Sequence, residues 1–187
     1  MFVDIARFLL NTTFTLFGAA LLLRAWLTMV WIKPYNPLLQ AILKATNWLV
    51  LPLRCIIPAS RCIDWTSLFA AWLAAITFTI LIVTISGGNP VSLLLIGLIV
   101  SALIIIKWAL NLIIWLTLIM VLLSWFNPSA PAIEILLQLT APLLNLLRRS
   151  VPPLGRIDLS PLVLLILVEI LLIIVTHITV SLTMFGL

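Results

Sequence analysis

The chain of 187 residues is 65% hydrophobic and only 8% charged, with a mean hydropathy of +1.37. Soluble domains carry about 25% charged residues, so this composition excludes a water-soluble fold and predicts an all-α polytopic membrane protein. Ten Lys and Arg against five Asp and Glu give a formal charge of +5. In a membrane protein this excess indicates topology and contact with anionic lipid head groups, and we expect no nucleic-acid partner.

Four stretches of the sequence are predicted to cross the membrane. The first covers residues 8–31, the second 67–85, the third 104–125 and the last 161–183. Each has about the 20 apolar residues that a helix needs to span the hydrocarbon core. The sequence therefore predicts four transmembrane helices.

Residues 91–126 leave two interpretations open, because a straight helix of this length is about 54 Å long and the hydrocarbon core is about 30 Å thick. In one interpretation, a short re-entrant or interfacial helix over residues 91–103 precedes the third span. In the other, two closely packed spans are broken near Lys107 and Asn111, which would make a fifth span.

Charge favours a single third span. The loops over residues 33–66 and 127–160 both carry a net positive charge, and positively charged loops stay in the cytoplasm. Two cytoplasmic loops require an even number of crossings between them. The prediction is a multi-pass membrane protein with both loops cytoplasmic and both termini outside.

Residues 38–50 are predicted to form an amphipathic helix in the interface. Three polar residues recur at spacings of four and three and so share one face: Gln40, Lys44 and Asn47. Such a segment is too short and too polar to span, so it should lie along the membrane surface. Pro52 and Pro58 should end it in a turn.

An internal repeat relates the two loops at an offset of 94 residues. The shared positions are Thr46, Pro58 and Asp64 in the first copy and Thr140, Pro152 and Asp158 in the second. The two aspartates each precede a predicted span, where a helix N-cap is the simpler expectation and an ion pair with a nearby arginine is the alternative. The repeat predicts two parallel units, residues 1–89 and 90–187, each made of a span, an interfacial amphipathic helix and a second span. Parallel units differ from the inverted repeats of many secondary transporters.

Four ionisable residues fall inside predicted spans, where a charge is costly and marks a function or a pair. Helical rise places Arg24 and Glu169 at similar depth, about 13 and 16 Å from the loops, so they are predicted to form an intramembrane charged pair. The same arithmetic places Lys107 and His177 near the outer leaflet. The pair would either line an ion path or lock the helix bundle.

Basic residues of the two loops are predicted to face lipid or a protein partner. They are Arg54, Arg61, Arg148, Arg149 and Arg156. Each basic residue near an anionic surface contributes about 1 kcal/mol. Topology and lipid contact are the simpler interpretation, and an acidic protein partner at the cytoplasmic loops is the other.

The sequence predicts neither an enzyme nor a cofactor or metal site. It has one His, no Gly-rich phosphate loop and no nucleophile–base set. Cys55 and Cys62 are too few for a metal site and are expected to be structural thiols.

The chain resembles the YggT family, whose plastid and cyanobacterial relatives are called YlmG. The resemblance covers nearly the whole chain. It rests on the segments Leu23-Arg24-Ala25-Trp26, Tyr35-Asn36-Pro37, Pro52-Leu53-Arg54, Ile63-Asp64 and Ile157-Asp158-Leu159-Ser160-Pro161. It implies a small integral protein of the bacterial inner (plasma) membrane or of the thylakoid. It also implies a link to osmotic-stress tolerance, potassium uptake, cell division and, in plastids, cytochrome maturation and nucleoid organisation. No catalytic residues come with it.

Two functional hypotheses follow. The first is a non-enzymatic inner-membrane scaffold or assembly factor for the envelope and osmotic stress response, which presents two basic interfacial segments to lipid and to a partner. The second is an oligomeric channel or transporter for a small cation such as potassium, or for an osmolyte. The second requires a homo-oligomer, because four spans are few for a pore.

Overall fold

The computed structural model describes residues 1–30, 37–55, 64–87, 94–127, 131–149 and 158–185. Within these ranges the chain forms six α-helices: α1 (Phe2–Met29), α2 (Pro37–Arg54), α3 (Trp65–Ile85), α4 (Leu94–Phe126), α5 (Pro131–Arg148) and α6 (Ser160–Phe185). Four of them, α1, α3, α4 and α6, are long and apolar enough to cross a membrane. The prediction of an all-helical multi-pass membrane protein with four spans is confirmed.

The third span differs from both interpretations of the sequence. Helix α4 continues without a break from Leu94 to Phe126, so residues 94–103 are neither a separate re-entrant helix nor part of a fifth span. Lys107 and Asn111 lie inside it. Its 33 residues correspond to about 50 Å at the rise of an α-helix. A helix longer than the hydrocarbon core is accommodated by tilt or by extension past the core, and no break is needed.

Proline does not end the amphipathic helices where the sequence suggested. Helix α2 runs past Pro52 to Arg54, and α5 contains Pro142. Pro52 lies in the last turn of α2, where its missing N–H costs one hydrogen bond and few residues follow. Pro58 and Pro152 lie outside the described residues, so their predicted role is not addressed.

The described chain divides into two compact units, and the first contains Met1–Ala109 and Val175–Leu187. In it, α1 packs on α2 and α3, and α2 packs on α3. Helices α1 and α3 run antiparallel, because Arg7 donates a hydrogen bond of 2.8 Å to Ser86 at one end and Arg24 lies beside Asp64 at the other. Small residues on α3 allow this close approach: Ala70, Ala71, Ala74 and Ala75 are all buried.

The second unit is Leu110–Ile174 and contains the later part of α4, all of α5 and the first part of α6. Its buried side chains come from all three helices, for example Leu116, Leu144 and Leu164. The predicted boundary between repeats at residues 89 and 90 concerns the sequence and stays a prediction.

Buried positions recur 94 residues apart in the two units. The pairs are Leu39 and Ile133, Thr46 and Thr140, Val50 and Leu144, Ala70 and Leu164, and Ala74 and Val168. On α2 and α5 these positions form one face, at the spacing expected of a helix that packs on one side only. Each amphipathic helix therefore packs through equivalent residues within its own unit.

Candidate functional site

The end of α2 is joined to the start of α3 by an ion pair that we call the first clamp, Arg54 and Asp64. The Arg54 Nη2 and Asp64 Oδ2 atoms are 3.5 Å apart. Asp64 is also the N-cap of α3, as predicted: its Oδ1 accepts a hydrogen bond from the Ser67 backbone N–H at 3.3 Å and its Oδ2 accepts from the Ser67 hydroxyl at 2.7 Å. One carboxylate thus satisfies a helix terminus and holds the neighbouring helix.

The second clamp joins α5 to α6 in the same way. Arg148 donates from Nε and Nη2 to Asp158 Oδ2 at 2.9 and 2.6 Å, and Asp158 Oδ1 accepts from the Ser160 backbone N–H at 3.0 Å. Partial burial acts to raise the pKa of Asp158, but hydrogen bonds from Ser160 and the attraction of Arg148 outweigh it and hold the pKa below its ordinary value. Asp158 therefore remains ionised in this pair at neutral pH.

Burial distinguishes the two clamps. The Asp64 side chain is 4% exposed and the Asp158 side chain is 36% exposed. In the first clamp the carboxylate is enclosed by protein and only Arg54 is exposed, whereas in the second clamp both partners are exposed.

Arg24 is the buried partner of the Asp64 carboxylate. Its side chain is 1% exposed, and its Nε lies 3.5 Å from Asp64 Oδ2. Its Nη1 donates to Thr46 Oγ1 at 2.8 Å and to Asn47 Oδ1 at 2.9 Å. Asp64 therefore has two cations at 3.5 Å, Arg24 from α1 and Arg54 from α2. The guanidinium joins α1, α2 and the start of α3 in one polar network, which we call the buried network.

The buried network is not fully satisfied. Among the described residues, Arg24 Nε has no hydrogen-bond partner, although the nearby carboxylate compensates its charge. Buried charges are tolerated only when they are paired and hydrogen-bonded. The network therefore depends on Asp64.

The equivalent position in the second unit contains a thioether. The Thr140 hydroxyl bonds to the Leu136 carbonyl at 2.8 Å and lies 3.2 Å from the sulfur of Met120, whereas the equivalent Thr46 hydroxyl accepts from Arg24. Two further polar members of the buried network are replaced 94 residues later: Asn47 by Ala141, and Ser67 by Pro161. In the part of the second unit that the structure describes, the clamp is present and no equivalent of the buried network is seen.

Each unit also has a groove between its helices. The groove of the first unit has a volume of about 330 Å³ and is almost entirely apolar, with Phe14, Trp48 and Leu73 in its walls. The groove of the second unit is larger, about 590 Å³, and contains the second clamp, Arg148 and Asp158, among apolar side chains. Volumes of about 300–1,000 Å³ are typical of small-ligand sites.

The predicted pair of Arg24 and Glu169 stays a prediction. Arg24 has Asp64 as its ionic partner within its own unit, and Glu169 is exposed on α6. Lys107 is half-buried and His177 is exposed; their placement near the outer leaflet also stays a prediction.

The basic loop residues are only partly described. Arg54, Arg148 and Arg149 are exposed at or just beyond the ends of α2 and α5. Arg61 and Arg156 lie outside the described residues. The exposed Arg54 and Arg148 are also the basic members of the two clamps, in agreement with the alternative that the sequence offered for the two aspartates, a partner in a nearby arginine.

Sequence reasoning missed the buried network because it paired charges by depth along two spans. A signal was present: Arg24, Asn47 and Ser67 are polar residues of the first copy that the second copy replaces. Within the described ranges, no group of three or more His, Cys, Asp or Glu is arranged to hold a metal ion. Each of the two clamps therefore consists of fixed charges that lie next to apolar side chains.

The chain is similar to known proteins over most of its length. The sequence pattern of the CCB3/YggT family matches residues 3–85 and 99–179. A protein of Escherichia coli K12 named "Uncharacterized protein YggT" is 36% identical over 165 residues, which cover 88% of this chain and 85% of that protein. The Vibrio alginolyticus "Uncharacterized protein in proC 3'region" is 41% identical over 161 residues, which cover 85% and 86%. A protein of Pseudomonas aeruginosa is 34% identical over 158 residues, which cover 83% and 80%. No solved structure matches the chain.

Proposed function

Because the chain belongs to the CCB3/YggT family, we propose that it is a non-enzymatic membrane scaffold that supports the bacterial inner membrane under envelope and osmotic stress. Its working parts are α2 and α5, two amphipathic helices held at fixed positions against the spans that follow them. Their exposed faces receive a protein partner and anionic lipid head groups.

The observation that carries this proposal is the pair of clamps. Arg54–Asp64 and Arg148–Asp158 each tie the last turn of an amphipathic helix to the first turn of a span. A helix that only lay on the membrane surface would not need an ion pair to the next span, because apolar burial and basic residues are sufficient for surface binding. A fixed surface is what a scaffold requires, since preorganised interfaces lose less entropy on binding.

The proposed orientation places both amphipathic helices on the cytoplasmic side, with both termini outside. Lys44, Arg54, Arg148 and Arg149 are exposed on or next to these helices, and clusters of basic residues remain cytoplasmic. Their positive charge would also attract the anionic lipids of that leaflet.

Photo-crosslinking in cells tests the scaffold directly. Lys44 and Gln138 are exposed, equivalent positions on α2 and α5, 94 residues apart. A benzophenone amino acid at either position should yield discrete crosslinked protein bands. The matched control is Ile173, which is 62% exposed on the apolar span α6 and should contact lipid only.

Variants of the two clamps test whether the ion pairs hold α2 and α5 in place. Arg54→Gln and Arg148→Gln should weaken the crosslinks at Lys44 and Gln138, respectively, because each releases its own helix. They should also reduce growth at high osmolarity in a strain that depends on this protein. Bands at Ile173 with none at Lys44 or Gln138 would reject the scaffold.

A second candidate, an oligomeric channel or transporter for potassium or an osmolyte, has one observation in its favour. Glu169 is exposed in the middle of an apolar span, where a charge costs about 2.5–3.5 kcal/mol unless something pairs with it. Several copies of the chain could supply that pairing around a pore. Potassium flux into liposomes that contain the protein, abolished by Glu169→Leu, would establish this function in place of the scaffold.

A further inference from the structure

The two units differ in the number of basic side chains beside the aspartate of the clamp. In the first unit, Asp64 has a second cation beside it, Arg24 Nε at 3.5 Å. In the second unit the equivalent Asp158 has Arg148 as its cation, and the side chain that reaches Thr140 is Met120. Among the described residues of this unit, no second basic side chain pairs with Asp158. Within the described part of the second unit, Asp158 therefore has one cation beside it where Asp64 has two.

The second clamp lies in the wall of a groove that has both polar and apolar lining residues. Arg148, Asp158 and Ser124 are polar, and Ile133, Leu137 and Leu165 are among the apolar ones. Leu137 is 44% exposed, so this wall can still be covered by another apolar group. A ligand that matches both kinds of lining has a charged head and a hydrocarbon tail.

The charges of the clamp specify the head. Among the described residues, Asp158 has one cation where its counterpart has two, so the head should provide a positive group that can donate hydrogen bonds. Arg148 is half exposed, and the planar fork of a guanidinium matches the geometry of a phosphate. A head with an ammonium and a phosphate satisfies both residues, and it leaves the pair of Arg148 and Asp158 electrically balanced.

We propose that the groove of the second unit binds the aminophospholipid phosphatidylethanolamine, with its ammonium beside Asp158, its phosphate beside Arg148 and an acyl chain along Leu137. The ammonium takes the place that the Arg24 guanidinium has in the first unit. This inference rests on the proposed function only for the position of α5 at the membrane surface, where head groups lie. It deepens that function by naming the lipid that completes the second clamp.

The test is a lipid competition on the full chain. Purified protein is placed in nanodiscs with equal amounts of phosphatidylethanolamine, phosphatidylcholine and phosphatidylglycerol with identical acyl chains, and retained lipids are identified by native mass spectrometry. We expect about a two- to five-fold enrichment of phosphatidylethanolamine over phosphatidylcholine, the ratio that corresponds to a partly exposed ion pair. Phosphatidylcholine has a phosphate and a positive charge but no N–H donor, so it isolates the ammonium contact.

Three variants locate the site. Asp158→Asn should remove the enrichment, and Leu137→Trp should fill the groove and remove the retained lipid. Thr77→Trp fills the apolar groove of the first unit and should leave the enrichment unchanged. The helical circular dichroism signal and the melting temperature of each variant show whether it is folded. If the tryptophan variants do not fold, Asp158→Asn alone tests the proposal.

Several results would overturn the proposal. Enrichment of phosphatidylglycerol over phosphatidylethanolamine would mean that the groove selects anions only. An unchanged preference in Asp158→Asn would place the lipid elsewhere, and displacement of the lipid by free phosphoethanolamine would identify a water-soluble ligand. The crosslinks at Lys44 and Gln138 test the scaffold function independently of lipid binding. Either proposal can therefore be refuted while the other stands.

Discussion

Asp64 and Asp158 offer a matched test of what burial adds to an ion pair. They are equivalent residues, 94 positions apart. Each accepts a backbone N–H at the start of a span and pairs with an arginine. The perturbation is Asp→Asn at each position. Asparagine keeps one oxygen to accept the backbone N–H, so both variants retain that hydrogen bond, lose the negative charge and exchange the second oxygen for an NH2 group.

The structure predicts very different costs for the two changes. Asp64 is 4% exposed and its partner Arg24 is 1% exposed, so Asp64→Asn leaves a buried guanidinium with only the neutral acceptors Thr46 and Asn47. Removal of one partner of a buried pair costs about 3–5 kcal/mol. The Asp158 pair is 48% and 36% exposed, and such pairs contribute less than about 1 kcal/mol.

A double variant separates the charge from the packing. Arg24→Met with Asp64→Asn removes both buried charges of α1 and α3, and replacement of a buried ion pair by apolar residues is often neutral or stabilising. We therefore expect the double variant to be more stable than Asp64→Asn alone. This result would show that the penalty comes from the stranded arginine.

The assay is unfolding of the purified protein in mixed micelles with an increasing fraction of denaturing detergent, followed by tryptophan fluorescence. The free energy of unfolding should fall in the order wild type, Asp158→Asn, Asp64→Asn. Equal losses at the two aspartates would refute the argument that enclosure by Arg24 distinguishes the clamps. A double variant no better than Asp64→Asn would refute the role assigned to the stranded charge.

Further predictions follow from packing and from pH. A Cβ on Gly18 would overlap the ring of Trp108, with Cδ2 at 2.5 Å, so Gly18→Ala should lower the unfolding free energy by about 1–3 kcal/mol. Gly97 has open space around it, and Gly97→Ala should leave stability unchanged or raise it by up to about 1 kcal/mol; equal effects of the two changes in the same assay would contradict this packing. Folding lowers the pKa of Asp158 from 3.8, so its stabilising contribution is present above the unfolded pKa and is lost as the pH falls through the folded pKa. The stability difference between wild type and Asp158→Asn should be constant near neutral pH and vanish in acid below 3.8, and a difference that grows in acid would contradict the sign.

Much of the architecture was readable from the sequence because the physics of a bilayer is restrictive. Length and hydropathy predicted the four spans that the structure contains, and the side-chain pattern predicted α2 as an amphipathic helix. Asp64 was predicted as an N-cap because a short acceptor before an apolar run is typical of one, and its side chain accepts from the Ser67 N–H.

The remaining features lack a local signal. Helix α4 is continuous over 33 residues, and the sequence cannot show whether a long apolar stretch breaks, tilts or extends past the core. Depth along the spans predicts Glu169 as a partner of Arg24, and that pair stays a prediction. Within its own unit, Arg24 pairs with Asp64 at the start of α3, beside an amphipathic helix that packs on α1. Depth along one helix does not specify which neighbour folds back against it.

The second unit is a natural control for the first. Leu144, Leu164 and Val168 are buried at positions equivalent to those of the first unit, and the clamp is present, yet a methionine thioether stands where Arg24 would be. The frame of helices therefore does not need a buried cation in order to form. A buried charge is expensive and is weak support for stability, so the first network must be kept for another reason. Arg24 joins α1 to α2 and to Asp64, which fixes one arrangement of three helices where apolar packing would permit several.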